Sequence, residues 1–151
     1  MRDIGKGEVL PAELAVEQTI RIAAPRERVF ALLTDVAQMP RWMPVTIFEA
    51  RVGGRFEFAR NAVAVGEVIE FDPPRVVTFT WDWRDQPLGR RTVVRFELAE
   101  DGGGTLVRLT HSGFRAQDQC EVHRRGWFHY GQRLKLVAEG GTPGPDRWDG
   151  E

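Results

Sequence analysis

The chain is poor in cysteine and in lysine. Cys120 is the single cysteine among 151 residues, so no intrachain disulfide can form, and a reducing, cytoplasmic setting is expected. The opening ten residues contain no apolar stretch of the kind found in a secretory signal peptide. Lysine is limited to Lys6 and Lys135, and the remaining cations are arginines scattered along the chain, which indicates a coding preference and no anion site.

The chain also lacks an excess of charge and long apolar runs. Lys and Arg total 21 against 22 Asp and Glu, a net charge of -1, whereas a nucleic-acid-binding domain carries a basic excess. Its longest apolar runs are far shorter than the ~20 residues that a membrane-spanning helix needs. No phosphate-binding loop, dinucleotide fingerprint, nucleophile elbow or HExxH motif occurs. We therefore expect no nucleic acid partner, no membrane span and no cofactor.

Aromatic residues are plentiful, with nine Phe, five Trp and one Tyr. Many fall in runs that are also rich in Val, Ile and Thr and are separated by short turn sequences, a pattern typical of an antiparallel meander. An earlier segment, Ala15 to Ala23, alternates less regularly and predicts one further strand. The six predicted strands of the meander are 45–52, 55–60, 63–71, 75–83, 90–99 and 105–112.

Three helices are predicted. The first begins at Pro25, a residue favoured at the first helical position, and a short second one covers 35–42. The third is long, about 118–139, with Asp118 and Glu121 in a capping-box-like arrangement and Gly140-Gly141 at its end. Its apolar stripe has helical spacing. That stripe consists of His123, Trp127, Tyr130, Leu134 and Val137.

This order of elements predicts an α+β fold in which a curved seven-stranded antiparallel sheet grips a long C-terminal helix, with two short helices after strand 1. We divide the chain into an N-terminal extension (1–14), one domain (15–139) and a flexible Gly/Pro-rich tail (140–151). Within that tail Trp148 is the residue able to dock on another surface.

Period-two alternation assigns faces to the predicted strands. In 75–83 the inner face is predicted to carry Val77, Phe79, Trp81 and Trp83. His111 falls on the apolar face of its strand and His123 on the apolar stripe of the long helix. Two interpretations stay open: both imidazoles are polar groups of a pocket, or both are core histidines satisfied by backbone or water.

The strand 63–71 alternates less cleanly. Gly66 is a candidate for a bulge that shifts the register. One of the two acidic residues of this strand, Glu67 or Glu70, could then face inward, and the pattern does not decide between them.

Five motifs occur in an order that resembles a known superfamily. They are IAAPRERVFALLTD with RW at 41–42, RVGGRFEF at 51–58, GEVIEFDPPRVVTFTW at 66–81, GGGTLVRLTHSGF at 102–114 and HRRGW at 123–127. Over about 15–139 the chain resembles the START-related, Bet v 1-like (SRPBCC) superfamily, in particular its activator of Hsp90 ATPase homolog (AHSA1-like) branch.

The resemblance implies a helix-grip fold with a largely apolar cavity between sheet and helix. Relatives include lipid-transfer domains and aromatase/cyclase domains of polyketide synthesis, so fold alone does not fix function. Tyr130 and Phe128 are bulkier than residues common at these positions, which predicts a partly filled cavity. The Hsp90-activating eukaryotic protein has a further N-terminal domain that does not occur here, so an Hsp90-type partner is not expected.

Three functions follow from these observations. The first is a small-molecule binding protein that holds an apolar or aromatic ligand. The second is a cyclase-, dehydratase- or hydrolase-type enzyme using the same cavity, with His111, His123 and Tyr130 as candidate catalytic residues. The third is a cochaperone-like interaction module, and a homodimer is left open. The predicted ligand-binding residues are Trp42, Phe56, Phe79, Trp81, Trp83, His111, His123, Trp127 and Tyr130.

A metal site is not expected. Cys120 and His123 are three residues apart on the long helix, and His111 lies close to them in the predicted fold. Zinc prefers four ligands, or three and a water, and no further partner is apparent in the sequence.

Overall fold

The computed structural model describes residues 14–147, so Trp148 and most of the predicted N-terminal extension lie outside the described residues. Within these residues, seven strands, two α-helices and one short 3-10 helix follow one another. In order they are β1 (Leu14–Ile22), α1 (Arg26–Thr34), the 3-10 helix (Met39–Arg41), β2 (Val45–Phe48), β3 (Arg55–Ala59), β4 (Val63–Asp72), β5 (Val76–Trp83), β6 (Thr92–Asp101), β7 (Gly104–Phe114) and α2 (Gln117–Ala138).

The seven strands form one antiparallel sheet in the order β1-β7-β6-β5-β4-β3-β2. Strands β2 to β7 are the predicted meander, because each pairs with its neighbour in sequence, and β1 closes the other side by pairing with β7. Helix α2 lies on the inner face of the sheet. The α+β helix-grip fold predicted from the sequence is confirmed.

Alternation along β5 confirms the predicted inner face, with Val77, Phe79 and Trp81 buried and Trp83 half-buried. The opposite face of this strand is also covered, because Thr78 and Thr80 are 4% and 7% exposed. Thr78 donates to the carboxylate of Glu70, and Thr80 accepts from the Arg91 guanidinium. Long charged side chains therefore cover the outer face of the sheet.

The stripe predicted for α2 is buried along its whole length, as expected for a helix held against a sheet. The predicted capping box is wrong: the N-cap residue is Ala116, and no side chain caps it. The other end is held by α1, since the Arg28 guanidinium donates to the carbonyls of Val137 and Ala138. This places a cation at the C-terminal end of α2, where the helix dipole favours it.

Strand β4 differs from its prediction. The register shift lies between Val68 and Glu70, not at Gly66. The extra residue, Ile69, returns Phe71 to the inner side and leaves Glu70 on the outer side with Glu67. Neither acidic residue faces inward, which corrects the expectation that one of them would.

Two other predicted boundaries also change. The strand predicted over 45–52 ends at Phe48, because the chain turns at 49–54 to enter β3. The short helix predicted over 35–42 is a 3-10 helix of three residues, Met39–Arg41, with Pro40 inside it. Both differences are at chain reversals, where local hydrogen bonds decide where an element ends.

Gly66 has a steric role in the β4–β5 pair. A Cβ built on Gly66 would lie 1.7 Å from the backbone oxygen of Thr80, and neither strand can move without breaking ladder hydrogen bonds.

Gly66→Ala is therefore expected to destabilise the protein by about 2 to 4 kcal/mol in urea unfolding, since the added methyl meets backbone. Gly103→Ala is the matched control. Gly103 has a φ of 89° in open space, so the same methyl meets only backbone strain there, about 1 kcal/mol. Equal losses for the two variants would contradict the steric explanation.

Candidate functional site

The inner face of the sheet and α2 meet in a cluster of aromatic rings. Trp81 is at the centre, with its ring centroid 5.4 to 5.7 Å from those of Phe58, Trp83, His111 and Trp127. Most of these pairs are tilted or edge-to-face, the arrangements that aromatic quadrupoles favour. The cluster joins strands β3, β5 and β7 to the helix.

His111 of β7 is fully buried, and both of its ring nitrogens are hydrogen-bonded. The Trp127 indole N–H donates to Nδ1 over 2.9 Å, and the Thr92 hydroxyl lies 2.7 Å from Nε2. That hydroxyl already donates its one proton to the Trp81 carbonyl. Thr92 must therefore accept from His111, which fixes the neutral ring with its proton on Nε2.

In His123 of α2 the two ring nitrogens have the reverse roles, because Nδ1 donates and Nε2 accepts. Its Nδ1 lies 2.7 Å from the Gln119 carbonyl, to which only an N–H can donate. Its Nε2 accepts from the Trp83 indole N–H over 3.0 Å. This is again a neutral imidazole, with the proton on Nδ1.

The two histidines form reciprocal bonds between helix and sheet. Trp127 of α2 donates to His111 of the sheet, and Trp83 of the sheet donates to His123 of α2. The imidazole centroids are 5.2 Å apart, edge to face. Both rings lie at one junction, as predicted. Three of their four hydrogen-bond partners are side chains, and one is the backbone carbonyl of Gln119, whereas the core interpretation expected backbone or water. The choice between a core role and a pocket role stays a prediction.

Burial lowers the pKa of both imidazoles. Desolvation holds the pKa of His111 well below its usual 6.5, and the neighbouring His123 lowers it further. Desolvation likewise lowers the pKa of His123, opposed by its hydrogen bond to the Gln119 carbonyl. Both rings therefore stay neutral near pH 7.

A small cavity of about 60 Å³ lies beside this cluster, between β3, β5 and α2. Five predicted ligand-binding residues line it: Trp81, Trp83, His123, Trp127 and Tyr130. Met43, Phe58, Val122 and Gly126 complete the lining. Alternation in the 55–60 strand could have indicated Phe58, whereas Met43 and Gly126 carry no pattern that distinguishes them from core.

The other predicted site residues lie in the core away from the cavity lining. Phe56 and Phe79 pack against each other with centroids 4.4 Å apart, and Trp42 donates its indole N–H to the Leu32 carbonyl over 2.7 Å. His111 lies behind Trp81 and Trp127. Phe128, expected to help fill the cavity, is 59% exposed on the outer side of α2, so Tyr130 alone of that pair contributes to the wall.

Tyr130 is tied to the segment that follows α2. Its hydroxyl donates to Asp146 over 2.7 Å, and burial, then this bond, raises the pKa of the phenol above its usual value. Burial opposes ionisation of Asp146, but hydrogen bonds from Tyr130 and His129 outweigh it, so the pKa of Asp146 is lowered. The division of the chain at 139 and the flexibility of the tail stay predictions.

A second, wider depression of about 660 Å³ lies on the outside between α1 and the ends of β2 and β4. It is open to solvent and mostly apolar, with Phe30, Phe48 and Phe71 at its floor and Glu27 and Asp35 at its edge. Among residues 14–147 no group of His, Cys, Asp or Glu is arranged to hold a metal ion. No helix in this part of the chain is long and apolar enough to span a membrane.

A family model described as activator of Hsp90 ATPase homolog 1-like protein matches residues 23–139, from the end of β1 to the end of α2. The chain belongs to this AHSA1-like family. The match covers both histidines and every residue of the cavity lining. No curated protein sequence is significantly similar to the chain.

Solved structures of the same fold agree with this assignment. Protein MLL2253 from Mesorhizobium loti is 27% identical, with a TM-score of 0.74 over 82% of this chain and 95% of that one. The Aha1 dimer from Colwellia psychrerythraea is 25% identical, with a TM-score of 0.74 over 84% and 97%. DynU16, from the dynemicin biosynthetic locus, has a TM-score of 0.78 over 89% of this chain and 51% of that one, at 19% identity, a likeness in fold alone.

The neutral histidines predict a characteristic loss of stability in acid. Folding lowers both pKa values, so the contribution of the two neutral imidazoles to the free energy of unfolding is complete above pH 6.5. It is lost as the pH falls, because the unfolded chain then binds protons that the folded chain does not bind. We expect His111 to lower the free energy of unfolding by about 1 kcal/mol between about pH 7 and 5.5, and His123 to lower it by less.

Urea unfolding of wild type, His111→Gln and His111→Gln/His123→Gln measures this loss. Glutamine can accept and donate in place of the imidazole but does not titrate. The pH-dependent loss should shrink with each substitution, leaving only the contribution of the other titratable groups. An identical pH dependence in all three proteins would contradict the neutral assignment.

Proposed function

We propose that this AHSA1-like protein binds an apolar or aromatic small molecule in the cavity between the sheet and α2. The observation that carries the proposal is the composition of the cavity wall. It is made of aromatic and aliphatic groups, and the indole N–H groups of Trp83 and Trp127 are each bonded to a histidine. Among the described residues, the buried Trp81 indole N–H has no hydrogen-bond partner. Such a wall favours ligands through removal of apolar surface from water, about 25 cal/mol per Å².

The volume of the cavity limits how a ligand enters. An apolar cavity of roughly 150 Å³ holds benzene, so about 60 Å³ is too small for one aromatic ring unless the wall moves. Trp83 is the wall residue best able to move, because it is half-buried at the end of β5 and its indole has a single hydrogen bond, to His123. Ligand entry would then displace the Trp83 ring and widen the cavity.

The hydrogen bonding argues against the enzyme alternative. A general acid or base needs a ring nitrogen within reach of the substrate, and both nitrogens of His111 are engaged behind the cavity wall. Those of His123 are engaged with the Gln119 carbonyl and, while the Trp83 ring stays in place, with its indole. The Tyr130 hydroxyl is likewise engaged with Asp146. The interaction-module alternative is supported by the resemblance alone, because the depression between α1 and the ends of β2 and β4 has no feature that identifies a partner.

Added side-chain volume at the cavity wall should weaken binding, and urea unfolding of each variant checks that the fold is retained. Gly126 lines the cavity on α2, so Gly126→Val introduces three carbons at its wall, and Gly126→Ala introduces one. With 2-naphthol as probe, we expect the affinity to fall by about tenfold or more for Gly126→Val and by less for Gly126→Ala.

Arg125→Val is the matched control, because it places the same side chain at the neighbouring, exposed position of α2. Its affinity should stay within about twofold of wild type. Binding is followed by the indole ¹H–¹⁵N signals, and those of Trp81, Trp83 and Trp127 should shift while that of Trp42 does not. Absence of binding by wild type, or equal affinity in Gly126→Val, would refute the proposal.

A further inference from the structure

The segment after α2 returns to the end of the cavity. Helix α2 ends at Ala138, and Gly140, with a φ of 97°, and Gly144, with a φ of 76°, turn the chain back. Asp146 then lies beside Tyr130, two turns before the end of the helix. We refer to residues 144–146 as the strap.

The Asp146 carboxylate joins the strap to three other side chains. Asp146 Oδ2 accepts from the Tyr130 hydroxyl over 2.7 Å and lies 3.6 Å from Arg60 Nε. Its Oδ1 lies 2.7 Å from His129 Nε2. The side chain is only 20% exposed, so these bonds are poorly screened by solvent, unlike ion pairs on an open surface.

A second residue holds the backbone of the strap. Arg133 donates to the Gly144 carbonyl over 3.1 Å and to the Pro145 carbonyl over 3.4 Å. Its Nε donates to the Trp42 carbonyl over 2.9 Å. Arg133 thus links the strap on one side to the chain just before Met43 on the other.

The anchor points are neighbours of the cavity wall. Tyr130 is itself a wall residue, Trp42 precedes the wall residue Met43, and Arg60 follows the wall residue Phe58 by two positions. Residues 144–146 therefore join three parts of the wall, which are Met43 after the 3-10 helix, Phe58 near the end of β3 and Tyr130 of α2. Loss of the Asp146 carboxylate frees Tyr130 and the end of β3 to separate, whereas Arg133 keeps its bond to the Trp42 carbonyl.

We infer that the strap, residues 144–146, acts as a latch that keeps the cavity closed, and that the Asp146 carboxylate holds it in place. When the latch is closed, Tyr130 is held against Phe58, whose ring centroid is 5.9 Å away, and the cavity stays small. When it opens, Tyr130 and the β3–β4 turn separate and the cavity admits solvent or ligand. This inference deepens the proposed function, because it supplies the movement that a ligand larger than the closed cavity needs.

Exchange of individual indole protons with solvent tests the latch without any ligand. Asp146→Ala should accelerate exchange of the Trp83 and Trp127 indole protons by about tenfold, because both donate to histidines beside the cavity. The Trp42 indole, bonded to the Leu32 carbonyl beneath α1, should keep its rate. Tyr130→Phe, which removes one anchor and keeps the ring, should give a smaller acceleration.

Asp85→Ala is the matched control, since it removes an exposed carboxylate from the β5–β6 loop. Unchanged Trp83 and Trp127 rates in Asp146→Ala would overturn the latch. Equal acceleration of all three indoles, Trp42 included, would also overturn it, because that result indicates global destabilisation. The readout uses no ligand, so failure of the latch and failure of 2-naphthol binding are separate outcomes.

Discussion

The protein depends on a pair of reciprocal hydrogen bonds from tryptophan to histidine across the interface between sheet and helix. Each indole N–H donates to the unprotonated nitrogen of a buried imidazole, and in each pair one ring is on the sheet and the other is on α2. A buried indole or imidazole without a partner would cost about 1 to 3 kcal/mol, so the two pairs constrain how α2 can slide or turn on the sheet. The arrangement works only with neutral rings, because an imidazolium carries a proton on both nitrogens and cannot accept from an indole N–H.

This constraint accounts for the character of the cavity. Two polar groups of the wall, the Trp83 indole N–H and the His123 imidazole, are bonded to each other across the interface, and most of the remaining surface is apolar. The Trp81 indole N–H is the exception in the described wall, because it is buried without a hydrogen-bond partner. The large rings needed for those bonds also occupy most of the space, which is why the cavity is small. A site of this kind favours apolar ligands, and it requires a movable wall, for which the strap at Asp146 offers a mechanism.

Much of the fold was predictable from local patterns. Period-two alternation in β5 and helical spacing in α2 give the two faces that form the core, and turn sequences separate the strands. The bulge at Ile69 was not predictable, because the burial of Phe71 depends on α1 packing against it, a contact between residues far apart in sequence. Several aromatic residues of the cavity wall were predictable from the faces of β5 and α2. Their hydrogen-bond donors and acceptors were not, because these depend on three-dimensional distances that sequence spacing does not supply. The return of Asp146 to Tyr130 is a tertiary contact of the same kind.

The central claim is that His111 and His123 are neutral, with their protons on opposite nitrogens. Nitrogen-15 chemical shifts of the imidazole rings measure protonation and tautomer directly. We expect an Nε2-protonated His111 and an Nδ1-protonated His123, both unchanged as the pH is lowered from about 8 to about 6. Titration of either ring within that range, or the same tautomer at both, would contradict this claim.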